Sequence, residues 1–226
     1  MSFIQENLKT ILETIPKNVK LVAVSKFHPA KDVIEAMKGG QILFGENRVQ
    51  EAVAKFDEIR REGFCPELHI IGSLQRNKVK EAVRIASMIQ SVDRRELLDE
   101  IEKQCSKIDK KMQVLFEIHT GEESKSGFTS IEALEQVMEG FRAGQYEHIE
   151  IKGFMTMAPF TEDTALVRKS FSFLRELRQE FSVKYPEYDF SELSMGMSGD
   201  YRIAIEEGST MVRIGTAIFG ERNYSR

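Results

Sequence analysis

Only two cysteines occur, Cys65 and Cys105, far apart and without metal-ligand spacing. That suits a reducing compartment and argues against a cysteine-built zinc site. The four histidines show no metal spacing either. No apolar run reaches spanning length. The N-terminus, MSFIQENLKTILETIP, is amphipathic and lacks the charged and apolar regions of a signal peptide. Charge of one sign is not in excess: 32 Lys and Arg stand against 36 Asp and Glu, for a net -4 spread along the chain. Nucleic acid and anionic membrane are therefore disfavoured as partners. No Gly-x-Gly-x-x-Gly turn follows the first apolar run, which argues against an open dinucleotide-binding sheet. No Ser/His/Asp or Cys/His nucleophilic set can be assembled. No Gly/Ser/Pro linker divides the chain, so residues 1–226 read as one domain, and a soluble cytoplasmic protein is expected.

What remains is a regular alternation. Apolar runs at 21–24, 41–44, 68–71, 88–92, 114–118, 149–157, 192–197 and 211–219 read as eight strands. Helix-period stretches at 46–60, 78–87, 95–107, 131–139 and 164–181 fill gaps between them, and a short segment at 199–207 reads as the seventh helix. Every strand but the last is expected to lead into a helix or helical turn. A further helix, 2–14, precedes the first strand. Alternating strand and helix implies a parallel sheet, and eight repeats predict a closed α/β barrel spanning 21–219.

In such a barrel the chemistry sits at the C-terminal strand ends. The first strand, LVAV, runs into Ser25 and Lys26. A lysine at a strand end is more often simply solvated; desolvated, its amine can form an imine with an aldehyde. Near the other end of the chain, SMGMSGD (194–200) offers backbone amides and the Ser198 hydroxyl to a phosphate, although Ser198 or Asp200 as an N-cap would explain the same residues. VRIGTAIFG (212–220) adds Gly215 and Thr216 after the last strand, and phosphates in barrels often lie between the loops after the last two strands. Arg213 is the one charge in an apolar strand, either an outward ion pair or a cation facing the mouth. An aldehyde carrying a phosphate, pyridoxal 5′-phosphate, fits this set, with Arg213 at the pyridine nitrogen. His69, inside a strand, reads as a satisfied core histidine. Asn47 could cap the helix that follows it, and the GEESKSGF stretch (121–128) could be a lid or a solvated loop.

Taken together, AVSK (23–26), FGENRVQE (44–51), HIIGSLQRNK (69–78), GEESKSG (121–127), GFMTMAP (153–159), LSMGMSGD (193–200) and GSTMVRIGTAIFGER (208–222) resemble the pyridoxal-phosphate homeostasis proteins. These share the barrel of the alanine racemase N-terminal domain. The resemblance covers nearly the whole chain. It implies that Lys26 carries pyridoxal 5′-phosphate as an imine, and that Ser198, Gly215 and Thr216 contact the phosphate. It also implies that Arg213 faces the pyridine nitrogen, that Asn47 lines the ring, and that Met155 and Met197 line the pocket. Glu117-Ile118-His119 departs from the Val-Asn usual in relatives before Gly-Glu-Glu.

The implied role is cofactor binding and vitamin B6 homeostasis without turnover. Apo-enzymes that use the cofactor are the implied partners, and a monomer is expected. The racemase needs a tyrosine base from a further domain; six residues follow Gly220 here, and nothing places Tyr201 or Tyr224 as a base. Two competing readings stand beside this: a small racemase-like enzyme using the same cofactor, and a cofactor-free barrel using Lys26 for aldolase-type imine chemistry.

Overall fold

A computed structural model describes residues 1–121 and 126–221 of the chain. Eight strands form: β1 (Lys20–Val24), β2 (Leu43–Glu46), β3 (Glu67–Ile70), β4 (Met88–Val92), β5 (Met112–Glu117), β6 (Ile149–Met155), β7 (Glu192–Ser194) and β8 (Met211–Ile214). They pair in sequence order and close into a barrel in which every pairing is parallel. Helices α2 (Ala30–Lys38), α3 (Val49–Arg61), α4 (Val79–Ile85), α5 (Arg95–Ser106), α6 (Ile131–Arg142), α7 (Thr164–Lys184) and α8 (Tyr201–Glu206) run between successive strands. The expected α/β barrel is thus present.

The helices form where apolar residues recur every three or four positions. In α7 this buries Val167, Phe171, Leu174, Leu177 and Phe181 on one face, toward the barrel. The leading helix α1 (Phe3–Thr14) starts with a capping box: the Ser2 side chain accepts from the Gln5 backbone and the Gln5 side chain accepts from the Ser2 backbone. It docks against the last element, α9 (Thr216–Phe219), where Asn7 Nδ2 donates to the Ile218 carbonyl at 3.0 Å.

Two apolar cores result from the side-chain alternation of the strands. The larger lies between the strands and the helices. The smaller fills the barrel itself and consists of Val22, Leu43, Met88, Leu115, Met155 and Met211, one residue from each of six strands. The remaining strands, β3 and β7, place His69 and Ser194 where such residues would otherwise stand; both are buried. The interior is therefore a packed apolar layer with a polar seam through it.

Strand boundaries differ from expectation in several places: β7 stops at Ser194 rather than 197, β5 begins at Met112 rather than 114, and three further cases have a local cause. The apolar run 211–219 is two elements: β8 ends at Ile214, the chain turns at Gly215, and Thr216–Phe219 is helical. The last strand does lead into a helix. The run 149–157 ends as a strand at Met155, because Thr156 is taken up by bonds to the neighbouring strand ends. The second strand begins at Leu43, after Gln41, whose side-chain amide is occupied by the carbonyls of Leu21 and Leu43.

Among the described residues no helix is long and apolar enough to cross a membrane. Within the same residues no cluster of His, Cys, Asp or Glu is arranged to hold a metal.

Candidate functional site

Strand parity decides which side chains reach the mouth. Val22 faces the interior; β1 ends at Val24, and Ser25 and the turn residue Lys26 follow at the C-terminal end of the strand. Lys26 is half-buried. Met211 faces the interior in β8, and so does Arg213 two residues later. The β1–β8 register sets Val22 opposite Arg213 and Ala23 opposite Ile214. Lys26 and the Arg213–Thr216 segment are thus on neighbouring strands although about 190 residues separate them in sequence. The approach is tight: a Cβ on Gly215 would stand 3.0 Å from the Val24 carbonyl oxygen and 3.3 Å from Val24 Cβ. Glycine at 215 is what lets the end of β8 lie against the chain leading to Lys26.

Beneath Lys26 sits a buried ion pair. Lys55 of α3 donates to the Ser25 carbonyl at 2.7 Å and to Glu46 Oε1 at 2.7 Å, and the Ser25 hydroxyl donates to the same Glu46 oxygen at 2.6 Å. The second carboxyl oxygen, Glu46 Oε2, is buried without a hydrogen bond. Burial raises the Glu46 carboxyl above the ordinary range, against the pull of Lys55 and Ser25. Phe27, next after Lys26, adopts φ 67°, a left-handed conformation uncommon for a bulky residue, and its ring lies 5.3 Å below the Arg48 guanidinium.

Arg213 is buried, and its fork is fixed. Nη1 donates to the Ser194 hydroxyl of β7 at 2.7 Å and Nη2 to the Thr156 carbonyl after β6 at 2.8 Å. Burial brings its pKa down to about 10, with Asp200 and Glu117 pulling the other way, so it remains a cation at neutral pH. The outward ion pair considered for it does not form.

Two alternative roles as helix caps also fall away. Asn47 does not cap α3: the N-cap position is Arg48, without a side-chain bond, and Asn47 Oδ1 is buried with no partner. Asp200 stands at the N-cap position of α8 but makes no capping bond there. Its Oδ1 instead accepts from the Met197 amide at 2.5 Å, which shapes the turn after β7. In that turn the amides of Ser198 and Gly199 carry no hydrogen bond among the described residues, nor does that of Thr216 across from them. A Cβ on Gly199 would meet nothing within 4 Å, so this rim is open.

The remaining expected residues divide. Ser198, Thr216 and Met197 lie exposed on the rim. Met155 is fully buried in the interior apolar layer, in register with Glu117 and Ser194. His69 is a bonded core histidine, as its place in a strand suggested. Of the 121–128 stretch, 122–125 lie outside the described residues, as does Tyr224. Tyr201 carries its hydroxyl to Thr14 of α1 at 2.9 Å, out in the helix layer.

One group at the mouth stood in the sequence only as a departure from the family pattern. Glu117 ends β5 two residues after the inward-facing Leu115 and is buried. Ser126 donates to its Oε1 at 2.7 Å, while Oε2 has no partner. Burial pushes this carboxyl up, helped by Asp93 and opposed by Ser126, Arg213 and His119. Parity counted from Leu115 would have pointed to it.

The mouth therefore combines an amine, a fixed cation, buried oxygens of Asn47 and Glu117 that lack partners, and open amides on the β7 and β8 loops. A flat aromatic ring with an acceptor nitrogen at one end and an anionic group at the other fits these donors.

Comparison with known proteins is consistent with this geometry. Residues 1–223 match the family model described as alanine racemase, N-terminal domain. A pyridoxal phosphate homeostasis protein of Aquifex aeolicus is 38% identical over 229 residues, covering 97% of this chain and 98% of that protein. One from Homo sapiens is 39% identical over 216 residues, covering 92% of this chain and 78% of the human protein. The structure of PipY of Synechococcus elongatus with PLP bound superposes with a TM-score of 0.89 at 33% identity, covering 96% of this chain and all (100%) of that one. Alanine racemase from Bacillus anthracis shares the fold at a TM-score of 0.75 and 19% identity, with 57% of its chain covered.

Proposed function

The chain belongs to the alanine racemase N-terminal domain family and, within it, to the pyridoxal phosphate homeostasis proteins, and from that membership we propose that it binds pyridoxal 5′-phosphate on Lys26 and holds it without turning over a substrate. Lys26 is the covalent anchor, through an imine. Ser198, Gly215 and Thr216 receive the phosphate on the open rim of the β7 and β8 loops. Asn47 lies along the ring from the β2 side. Met197 borders the pocket and Met155 forms part of its floor. Pyridoxal phosphate, when bound, supplies an aldehyde for amines and a ring that withdraws electrons.

The observation that carries this reading is Arg213. Its guanidinium is buried, held from two sides, and still charged at neutral pH. Donating an N–H to the ring nitrogen of a bound cofactor, it would disfavour a proton there, because a like charge would then face it at close range. A ring nitrogen without a proton is the weaker electron sink. That arrangement would limit carbanion chemistry at the ring. The described tyrosines support the same reading: Tyr146 donates to Asp99 at 2.7 Å, Tyr185 and Tyr188 pack in the helix layer, and Tyr201 is engaged by Thr14. None of these four stands at the mouth as a second base.

The test is isotopic. Protein loaded with pyridoxal phosphate is incubated in deuterium oxide with single L- or D-amino acids. Exchange at Cα no faster than a free-cofactor blank is expected. Sustained exchange above the blank, dependent on Lys26, would establish the racemase-like alternative.

A further inference from the structure

Arg213 is one end of a chain of side chains that crosses the barrel interior. The Ser194 hydroxyl, which accepts from Arg213, donates to Gln90 Oε1 of β4 at 2.6 Å. Gln90 Nε2 donates to His69 Nδ1 of β3 at 2.8 Å and approaches the Met211 sulfur at 3.0 Å. His69 Nε2 lies 3.3 Å from Glu67 Oε1 at the start of β3. Ser194, Gln90 and His69 are all buried within the apolar layer that includes Met88 and Met211.

With the Gln90 amide oriented toward Ser194 through its oxygen, each bond in this chain has one direction. An amide oxygen only accepts, so the Ser194 proton points at Gln90 and its lone pairs are left for Arg213. An amide nitrogen only donates, so His69 Nδ1 is bare, its proton is on Nε2, and that proton faces Glu67. Turning the Gln90 amide over would set its N–H groups against a hydroxyl already accepting from Arg213 and strand the hydroxyl proton. It would also require His69 to carry a proton on Nδ1 to meet the amide oxygen. A buried polar atom without a partner costs about 1–3 kcal/mol, so the stranded hydroxyl proton favours the arrangement described.

We propose that Gln90, oriented by His69, is a positioning residue for Arg213: through Ser194 it sets the plane of the guanidinium presented at the barrel mouth. The consequence for the cofactor rests on the functional reading above; the consequence for Arg213 does not. Neither Gln90 nor His69 touches the mouth itself.

The experiment uses the full chain in two arms. In the cofactor-free arm, nitrogen-15 spectra of the arginine side chains compare wild type with Gln90→Leu. Wild type should show a slowly rotating Arg213 guanidinium with separate Nη signals, and Gln90→Leu should merge them. In the loaded arm, Gln90→Leu should weaken pyridoxal phosphate binding roughly tenfold, the scale of one impaired hydrogen bond to a charged group, and shift the pH midpoint of the visible band. Gln90→Glu still accepts from Ser194, and His69 meets the new oxygen by carrying a proton on Nδ1, so the band should stay near wild type. Arg213 signals in Gln90→Leu identical to wild type overturn the proposal. If Gln90→Leu does not fold, Ser194→Ala is read the same way, and unchanged Arg213 signals again overturn it. A wild-type protein that takes up no pyridoxal phosphate would instead sink the functional reading, and the cofactor-free arm would still decide the positioning role.

Discussion

The ion pair under Lys26 allows a quantitative prediction. Lys55→Met removes the donor to both the Ser25 carbonyl and Glu46 Oε1. Glu46 is 0% exposed and would keep a single donor, the Ser25 hydroxyl, with Oε2 already bare. Removing one partner of a buried pair costs about 3–5 kcal/mol. The Lys55 side chain is itself only 9% exposed, so solvent offers little relief. Glu46 can escape by taking a proton, which places the expected loss near the low end, about 3 kcal/mol at pH 7. The sign with pH follows from burial. A carboxyl whose native pKa is raised keeps its proton in the folded state above the unfolded value of about 4.3, so stability falls as pH rises through that window and is flat beyond it. The penalty of Lys55→Met should therefore be smaller at pH 5 than at pH 7. The double variant Lys55→Met/Glu46→Leu, which removes both charges, should return to within about 1–2 kcal/mol of wild type. Urea unfolding of the three proteins at both pH values reads all of this. A Lys55→Met penalty under about 1 kcal/mol at pH 7, or one that does not shrink at pH 5, would refute the reasoning.

Other perturbations probe the remaining parts of the site and the barrel that carries it. Gly215→Ala forces a methyl against the Val24 carbonyl and should cost about 1–3 kcal/mol in thermal unfolding while weakening pyridoxal phosphate binding, measured by equilibrium dialysis. In Gly153→Ala the new Cβ would lie 2.0 Å from the Glu192 carbonyl oxygen at φ +140°, so no soluble folded protein is expected on expression at growth temperature. Glu117→Gln removes a carboxyl raised by burial; as pH rises above the unfolded carboxyl value of about 4.3, wild type should lose urea resistance more steeply than this variant, since only the wild-type group must give up a proton in the folded state.

Much of this was legible in the sequence because two regular signals carried it. Eight apolar runs separated by helix-period stretches specify a parallel barrel, and closure of the barrel then makes residues 26 and 213 neighbours. Boundaries were less legible where an apolar run continued through a change of structure. Ala217, Ile218 and Phe219 are as apolar as β8 itself, yet they fold as a turn of helix after Gly215. The polar seam was legible only in part. His69 was read as a satisfied core residue, but its partner Gln90 is on the next strand, and Ser194 lies 104 residues beyond Gln90. Pairing of that kind depends on register across the barrel, which local periodicity does not encode. Glu46 and Lys55 were missed for a related reason: a strand end and a helix flank carry charges in most proteins, and only the closed packing buries these two together.

The central claim is that Lys26 anchors pyridoxal 5′-phosphate in this mouth. Its most direct test is the visible absorbance of purified wild type and Lys26→Ala after each is incubated with pyridoxal phosphate and freed of excess. The account expects a yellow wild type whose imine band survives gel filtration, and a Lys26→Ala protein that is folded and colourless. A wild type without the band, or a Lys26→Ala protein that retains it, would contradict the account.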